Sequence, residues 1–130
     1  MTCDFPQEVT AHMKRAREAL DAARILCDAG LLDDAASRAY YAAFHAASAT
    51  LMQRGLTFTK HSSLIGAVHK HLVNSGMITV EAGRWLRWLF ELRSLGDYGE
   101  ISHVEEDQAR LALERAETLI QAFDALLKRG

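Results

Sequence analysis

At 130 residues, 49% of them hydrophobic and 25% charged, the chain has the size and composition of a single globular domain over residues 1–130, which excludes the disordered and disulfide-stapled classes. A net charge of -2 excludes a bulk electrostatic grip on nucleic acid, and no apolar run approaches the roughly 18 residues a membrane span needs. The segment from Met1 to Pro6 lacks the basic start and apolar stretch of a signal peptide, and Cys3 and Cys27 would lie roughly 30 Å apart along the first helix, so the chain reads as cytoplasmic with two free thiols.

Pro6 is the one proline, helix formers dominate, and no alternating apolar and polar stretch persists, so the expected class is all-α, an up-and-down bundle of four to five helices. The first helix is predicted from Gln7 to Ala29, with Val9, Met13, Ala16, Leu20, Ala23 and Cys27 on one stripe and Gly30 ending it. Asp33 or Asp34 is expected to cap the second, which buries Ala36, Tyr40, Ala43, Ala47 and Leu51 and stops at Gly55. Its alanines permit close approach, and a short turn should pair it antiparallel with the first helix. After a connector over Leu56–Lys60, Ser62 or Ser63 should open a short helix carrying Leu64, Ile65, Val68 and Leu72 inward. Thr79 is the expected cap of the fourth helix, which is predicted to end near Arg93, with Gly96 as breaker. Ser102 to Glu105 reads as a capping box for the last helix, with Ala109, Ala112, Ala116, Leu119, Phe123 and Leu126 inward.

The fourth helix is apolar around most of its circumference, leaving Arg84, Arg87 and Glu91 as a narrow polar stripe. A helix of that kind is buried on two sides. The second side is expected to be a homodimer interface carrying Trp85 and Trp88, the alternative being burial within its own chain. Charge is uneven as well. From Arg54 to Arg93 there are six Lys or Arg against Glu81 and Glu91, and from Asp97 to Asp124 eight acids against Arg110 and Arg115. That asymmetry suits a positive face for nucleic acid, or simply helix faces of different sign.

Three constellations carry candidate chemistry. Arg38, Tyr41 and His45 are spaced by three and four on the second helix, so a guanidinium, a phenol and an imidazole share a ridge able to bind phosphate, stack a base or move a proton. The same residues could serve to tie helix ends together. Arg93, Asp97 and Tyr98 close the fourth helix, Asp97 and Tyr98 being expected on the turn after Gly96; a carboxylate folded onto Arg93 either orients it for substrate or clamps the loop. Lys60 and His61 precede the third helix, where free backbone amides favour an anion. No Gly-rich phosphate loop, Cys-x-x-Cys, His-Glu-x-x-His or Glu-x-x-His pattern is present, and neither a metal nor a cofactor is expected.

The block Ser37-Arg38-Ala39-Tyr40-Tyr41-Ala42-Ala43-Phe44-His45, then Lys60-His61-Ser62, then Leu92-Arg93 followed by Gly96-Asp97-Tyr98, resembles the HEPN domain family, in particular its small stand-alone prokaryotic members. The resemblance covers roughly Gln7 to Leu127. It implies a dimeric helical bundle. It also implies a metal-independent ribonuclease, the toxin half of a toxin–antitoxin pair with a minimal nucleotidyltransferase, or alternatively a non-catalytic module that binds a nucleotide or that partner. The family's active site uses an Arg followed by a His with four to six residues between them. Arg93 matches the Arg, but the corresponding positions hold Tyr98, Gly99 and Glu100, and the next imidazole downstream is His103. Metal-free RNA cleavage needs a base and a cation, so Arg93 would supply the cation and His103 or His61 the base.

Overall fold

The computed structural model describes residues 6–98 and 103–129. Among them are five α-helices and no strand: α1 (Pro6–Asp28), α2 (Leu32–Gln53), α3 (His61–Val68), α4 (Val80–Tyr98) and α5 (Glu106–Lys128). A π-helical turn, His69–Val73, extends α3. The inward stripes expected for α1, α2, α3 and α5 are all buried.

Two glycine caps set the hairpin and its exit. Gly30 has φ 79° and its N–H donates to Cys27 O, while Leu31 N–H donates to Leu26 O. Gly55 repeats this with φ 80° onto Met52 and Leu51. In both, a left-handed residue satisfies carbonyls that the helix end would otherwise leave bare.

α1 and α2 then run antiparallel, and Ala16, Ala23, Ala35, Ala36, Ala39, Ala42, Ala43, Ala46, Ala47 and Ala49 are all fully buried. Residues this small bring backbones together without side-chain entropy cost. α2 is the central element, packed against α1, α3, α4 and α5. On α1, Arg17 pairs with Asp124 at 3.2 Å, Arg24 with Glu117 at 3.2 Å and Asp28 with Arg110 at 3.8 Å, which sets α5 antiparallel to α1. Exposed pairs of this kind contribute about 0–1 kcal/mol each and act here as register marks.

Several expectations are corrected. Gly96 does not break α4, which continues through Tyr98. Its missing side chain instead serves close approach, because a Cβ there would stand 3.2 Å from Asp33 O and 3.3 Å from Asp33 Cα. Asp97 therefore lies on a regular ridge and not on a turn. Neither Asp33 nor Asp34 caps α2; Leu31 holds that position without a side-chain bond. The Asp33 carboxylate is used elsewhere, accepting Val104 N–H at 2.8 Å and sitting 2.9 Å from His103 Nδ1. α3 starts at His61, with Lys60 as its extended N-cap residue. The capping box of α5 is Glu105 with Gln108, whose Oε1 accepts Glu105 N–H at 2.9 Å; Ser102 lies outside the described residues. Thr79 does cap α4, accepting Ala82 N–H at 3.0 Å.

Trp85 and Trp88 are half-buried against the core, and the Arg115 guanidinium of α5 lies over them at 5.3 and 4.5 Å. Part of their second face is thus covered by their own chain.

Asp33 joins α2 to the start of α5 and to the back of α4. Asp33→Ala should lower the unfolding free energy by about 1–2 kcal/mol, the scale of two partly exposed hydrogen bonds. His103→Ala should cost less, because the Val104 bond survives. Urea denaturation of the two variants against wild type checks the order.

Candidate functional site

The site grows from consecutive aromatic positions on α2. Tyr40 faces the core and is fully buried, and Tyr41 is half-buried beside it. Across from them α4 contributes Phe90 and Arg93, one turn apart, and the start of α3 contributes His61.

Arg93 is the centre. Its side chain is 14% exposed, Nε lies 2.8 Å from Asp97 Oδ2, and Nη2 donates to the Tyr41 hydroxyl at 3.0 Å. The guanidinium carbon stands 5.4 Å from the Tyr41 ring centroid and 6.0 Å from that of Tyr40. A cation this enclosed needs a counter-charge and oxygen acceptors, and the helical i, i+4 spacing of Asp97 supplies the first.

His61 closes the cluster from the other side. Its Nδ1 is 2.7 Å from the Tyr40 hydroxyl, its ring centroid is 4.7 Å from that of Phe44, and it stacks on Phe90 at 6.0 Å. Burial, with Arg93 adding to it, pushes the imidazole below its ordinary 6.5, so it is largely neutral at pH 7. Burial likewise pushes the Tyr40 phenol well above its ordinary 10, which keeps it a protonated hydrogen-bonding partner. The Tyr40 contact engages Nδ1; when Nδ1 carries the proton and donates it to the Tyr40 oxygen, the Nε2 lone pair is left to act on another molecule.

The structure distributes the candidates unevenly. Arg93, Asp97, Tyr41 and His61 come together. His103, 56% exposed, is engaged by Asp33. Lys60 is exposed at the α3 start, and the side chain of Tyr98 lies outside the described residues. The predicted ridge divides: Tyr41 joins Arg93, whereas His45 pairs with His12 of α1, Nδ1 to Nδ1 at 3.3 Å, beside exposed Arg38. Tyr40, Phe44, Phe90 and His12 were not anticipated as site residues. The available signal was Tyr40 itself, a phenol in an alanine stripe whose hydroxyl must find a partner. Among the described residues no three His, Cys, Asp or Glu side chains gather as a metal site would require.

A model of the HEPN domain matches residues 9–126, from the first turn of α1 to the last of α5. The chain belongs to the HEPN domain family. It is 37% identical over 115 residues to a UPF0332 protein of Thermotoga maritima, covering 88% of this chain and 87% of that one. A UPF0332 protein of Gloeobacter violaceus is 38% identical over 110 residues, covering 84% and 87%. A Methanocaldococcus jannaschii protein named "putative toxin" is 35% identical over 125 residues, covering 96% and 92%.

In this HEPN chain the His12–His45 pair is a second electrostatic feature. Burial first, then Arg15 for His12, and His12, Arg15 and Arg38 for His45, hold both imidazoles below 6.5. At 3.3 Å one ring must offer N–H and the other a lone pair, so protonating both breaks the contact. The unfolded chain takes up these protons near 6.5 and the folded chain resists them. Stability should therefore fall as pH drops through 6.5 and below. Replacing both with Gln should flatten part of that decline in urea midpoints measured from pH 7.5 to 5.

Proposed function

We propose that this HEPN protein is a metal-independent endoribonuclease, the toxin partner of a minimal nucleotidyltransferase, with Arg93 as the phosphate-binding cation and His61 as the base. The observation that supports this reading is the convergence of Arg93 and a neutral His61 on one tyrosine pair, His61 at 2.7 Å from Tyr40 and Arg93 at 3.0 Å from Tyr41. His61, from α3, stands in for the imidazole that the sequence lacks at the family's spacing after Arg93.

The chemistry balances without a metal. His61 Nε2 takes the ribose 2′-hydroxyl proton in the tautomer whose Nδ1–H donates to the Tyr40 oxygen. The 2′-oxygen attacks phosphorus, and the charge gathering on the non-bridging oxygens is met by Arg93. The bond to the 5′-oxygen breaks, that oxygen takes a proton from solvent water, and the products are a 2′,3′-cyclic phosphate and a 5′-hydroxyl, the proton on His61 being returned to solvent. Asp97 keeps the guanidinium aligned.

One observation favours the second reading, a non-catalytic module that binds a nucleotide or the nucleotidyltransferase. Arg93 is only 14% exposed and is already engaged by Asp97 and Tyr41 of its own chain. Purified protein incubated with total RNA and with tRNA separates the two. Cleavage is expected, reduced about 100-fold or more by Arg93→Ala and by His61→Ala, and less than tenfold by His103→Ala. The rate should rise with pH through the His61 pKa, which lies below 6.5, and level off by neutrality. Intact RNA, with Arg93→Ala changing nucleotide affinity alone, assigns the module instead.

The proposed assembly is a homodimer through α4, using the half-buried Trp85 and Trp88. Trp88→Glu should convert the dimer to a monomer in light-scattering chromatography while far-ultraviolet dichroism keeps its helical form. A wild-type monomer at micromolar concentration refutes the assembly.

A further inference from the structure

A groove between α1 and α2 lies next to the Arg93 cluster and takes no part in the chemistry above. Arg15, Glu18 and the small Ala19 and Ala22 form its α1 side, and Arg38 and His45 its α2 side, around a hollow of about 350 Å³. That volume lies within the range of small-ligand clefts.

Its charges are left open. Among the described residues Arg15 and Arg38 pair with no carboxylate, as is also true of Arg84 and Arg87 on α4, but Arg15 and Arg38 face one hollow together. Among the described residues Glu18 is the one carboxylate lining the groove, set against two guanidinium groups and His45, with His12 behind. Planar guanidinium groups without partners at a concave surface match phosphate oxygens bidentately.

The groove is also continuous with the Arg93 cluster. Arg38, Tyr41 and His45 follow one ridge of α2, the Tyr41 and His45 ring centroids are 6.5 Å apart, and the Tyr41 hydroxyl takes the Arg93 hydrogen bond. Tyr41 therefore links the Arg93 cluster to His45, which lines the groove.

We infer that this groove is a second phosphate subsite, in which Arg15, Arg38 and His45 hold a further backbone phosphate of the single RNA strand bound at Arg93. The inference rests on the reading of Arg93 as a phosphate site and adds a substrate class: a strand with at least two backbone phosphates, not a lone nucleotide. Glu18 weakens the grip and so limits it.

The test uses binding, so it does not depend on cleavage. The probe is a fluorescent 12-nucleotide RNA with 2′-O-methyl riboses, which lacks the attacking hydroxyl, compared with a nucleoside 3′-monophosphate. For Arg15→Ala/Arg38→Ala the ratio of oligomer to mononucleotide affinity should fall about tenfold. The salt slope of oligomer binding should lose about 1.4, two contacts at about 0.7 each for single strands. Glu18→Gln should tighten oligomer binding severalfold. Both arginines are exposed, and unchanged dichroism will show that the fold survives their loss.

An unchanged ratio and slope overturn the subsite, as does an equal loss for both probes or wild-type protein that binds no oligomer. Oligomer binding that depends on the groove, in a protein that leaves RNA intact, sinks the ribonuclease reading and keeps the subsite.

Discussion

A guanidinium held almost out of water between two helices sets the terms for much of this bundle. Removing a charge from water costs several kcal/mol unless an opposite charge and hydrogen-bond acceptors replace the lost solvent. Asp97 and the Tyr41 hydroxyl replace it for Arg93, at 2.8 and 3.0 Å. Both contacts constrain the backbone. Asp97 reaches Arg93 from the i+4 position only while α4 stays helical past Gly96. Tyr41 reaches it only while α2 and α4 lie close, which the bare Cα of Gly96 against Asp33 permits. Asp33, so placed, collects Val104 and His103 at the start of α5. One buried charge thus depends on the length of α4, the spacing of α2 and α4, and the residue that anchors the next helix.

The alanine content of α2 belongs to the same geometry. Alanine buries little apolar surface, so an alanine seam gains less from the hydrophobic effect than a leucine seam would. What it provides is proximity. With α1 drawn close, His45 meets His12 and Arg38 shares a groove with Arg15. The larger volume needed to fill the core comes from Tyr40, Phe123, Leu86, Leu89 and Leu119, all fully buried. Tyr40 brings a hydroxyl into that core, and His61 meets its hydrogen-bonding need at 2.7 Å. A packing residue thereby positions an imidazole.

Periodicity made the inward stripes of α1, α2, α3 and α5 legible, because burial on one face leaves a repeat of three and four that no other arrangement produces. The end of α4 was not legible, since glycine serves equally as a helix breaker and as a contact point for a neighbouring backbone, and the sequence around Gly96 does not distinguish the two. Asp33 was ambiguous in the same way: its carboxylate has the chemistry of a cap, and its partner lies 71 positions away. The Arg93–Asp97 pairing was readable, but its geometry was not. His12 and Arg15 escaped notice because their meaning depends on the register of the α1–α2 hairpin. Residues roughly equidistant from Gly30 face one another, and only that folding-back makes a pair of His12 and His45.

In the proposed ribonuclease the base and the cation come from different helices, and this changes what controls the chemistry. A histidine a few residues beyond Arg93 would be fixed by the conformation of α4 alone. His61 is fixed by its contacts with Tyr40, Phe44 and Phe90, so its relation to Arg93 is set by the packing of α3 on α2 and α4. Burial and the neighbouring cation lower its basicity. They also keep the ring unprotonated at neutral pH, so intrinsic strength as a base is exchanged for availability. Half-exposed His103 beside a carboxylate has neither the enclosure nor the cation. A base of reduced strength next to an aligned guanidinium suits a reaction whose main demand is stabilising charge on phosphate, because there the electrostatic contribution is usually the larger one.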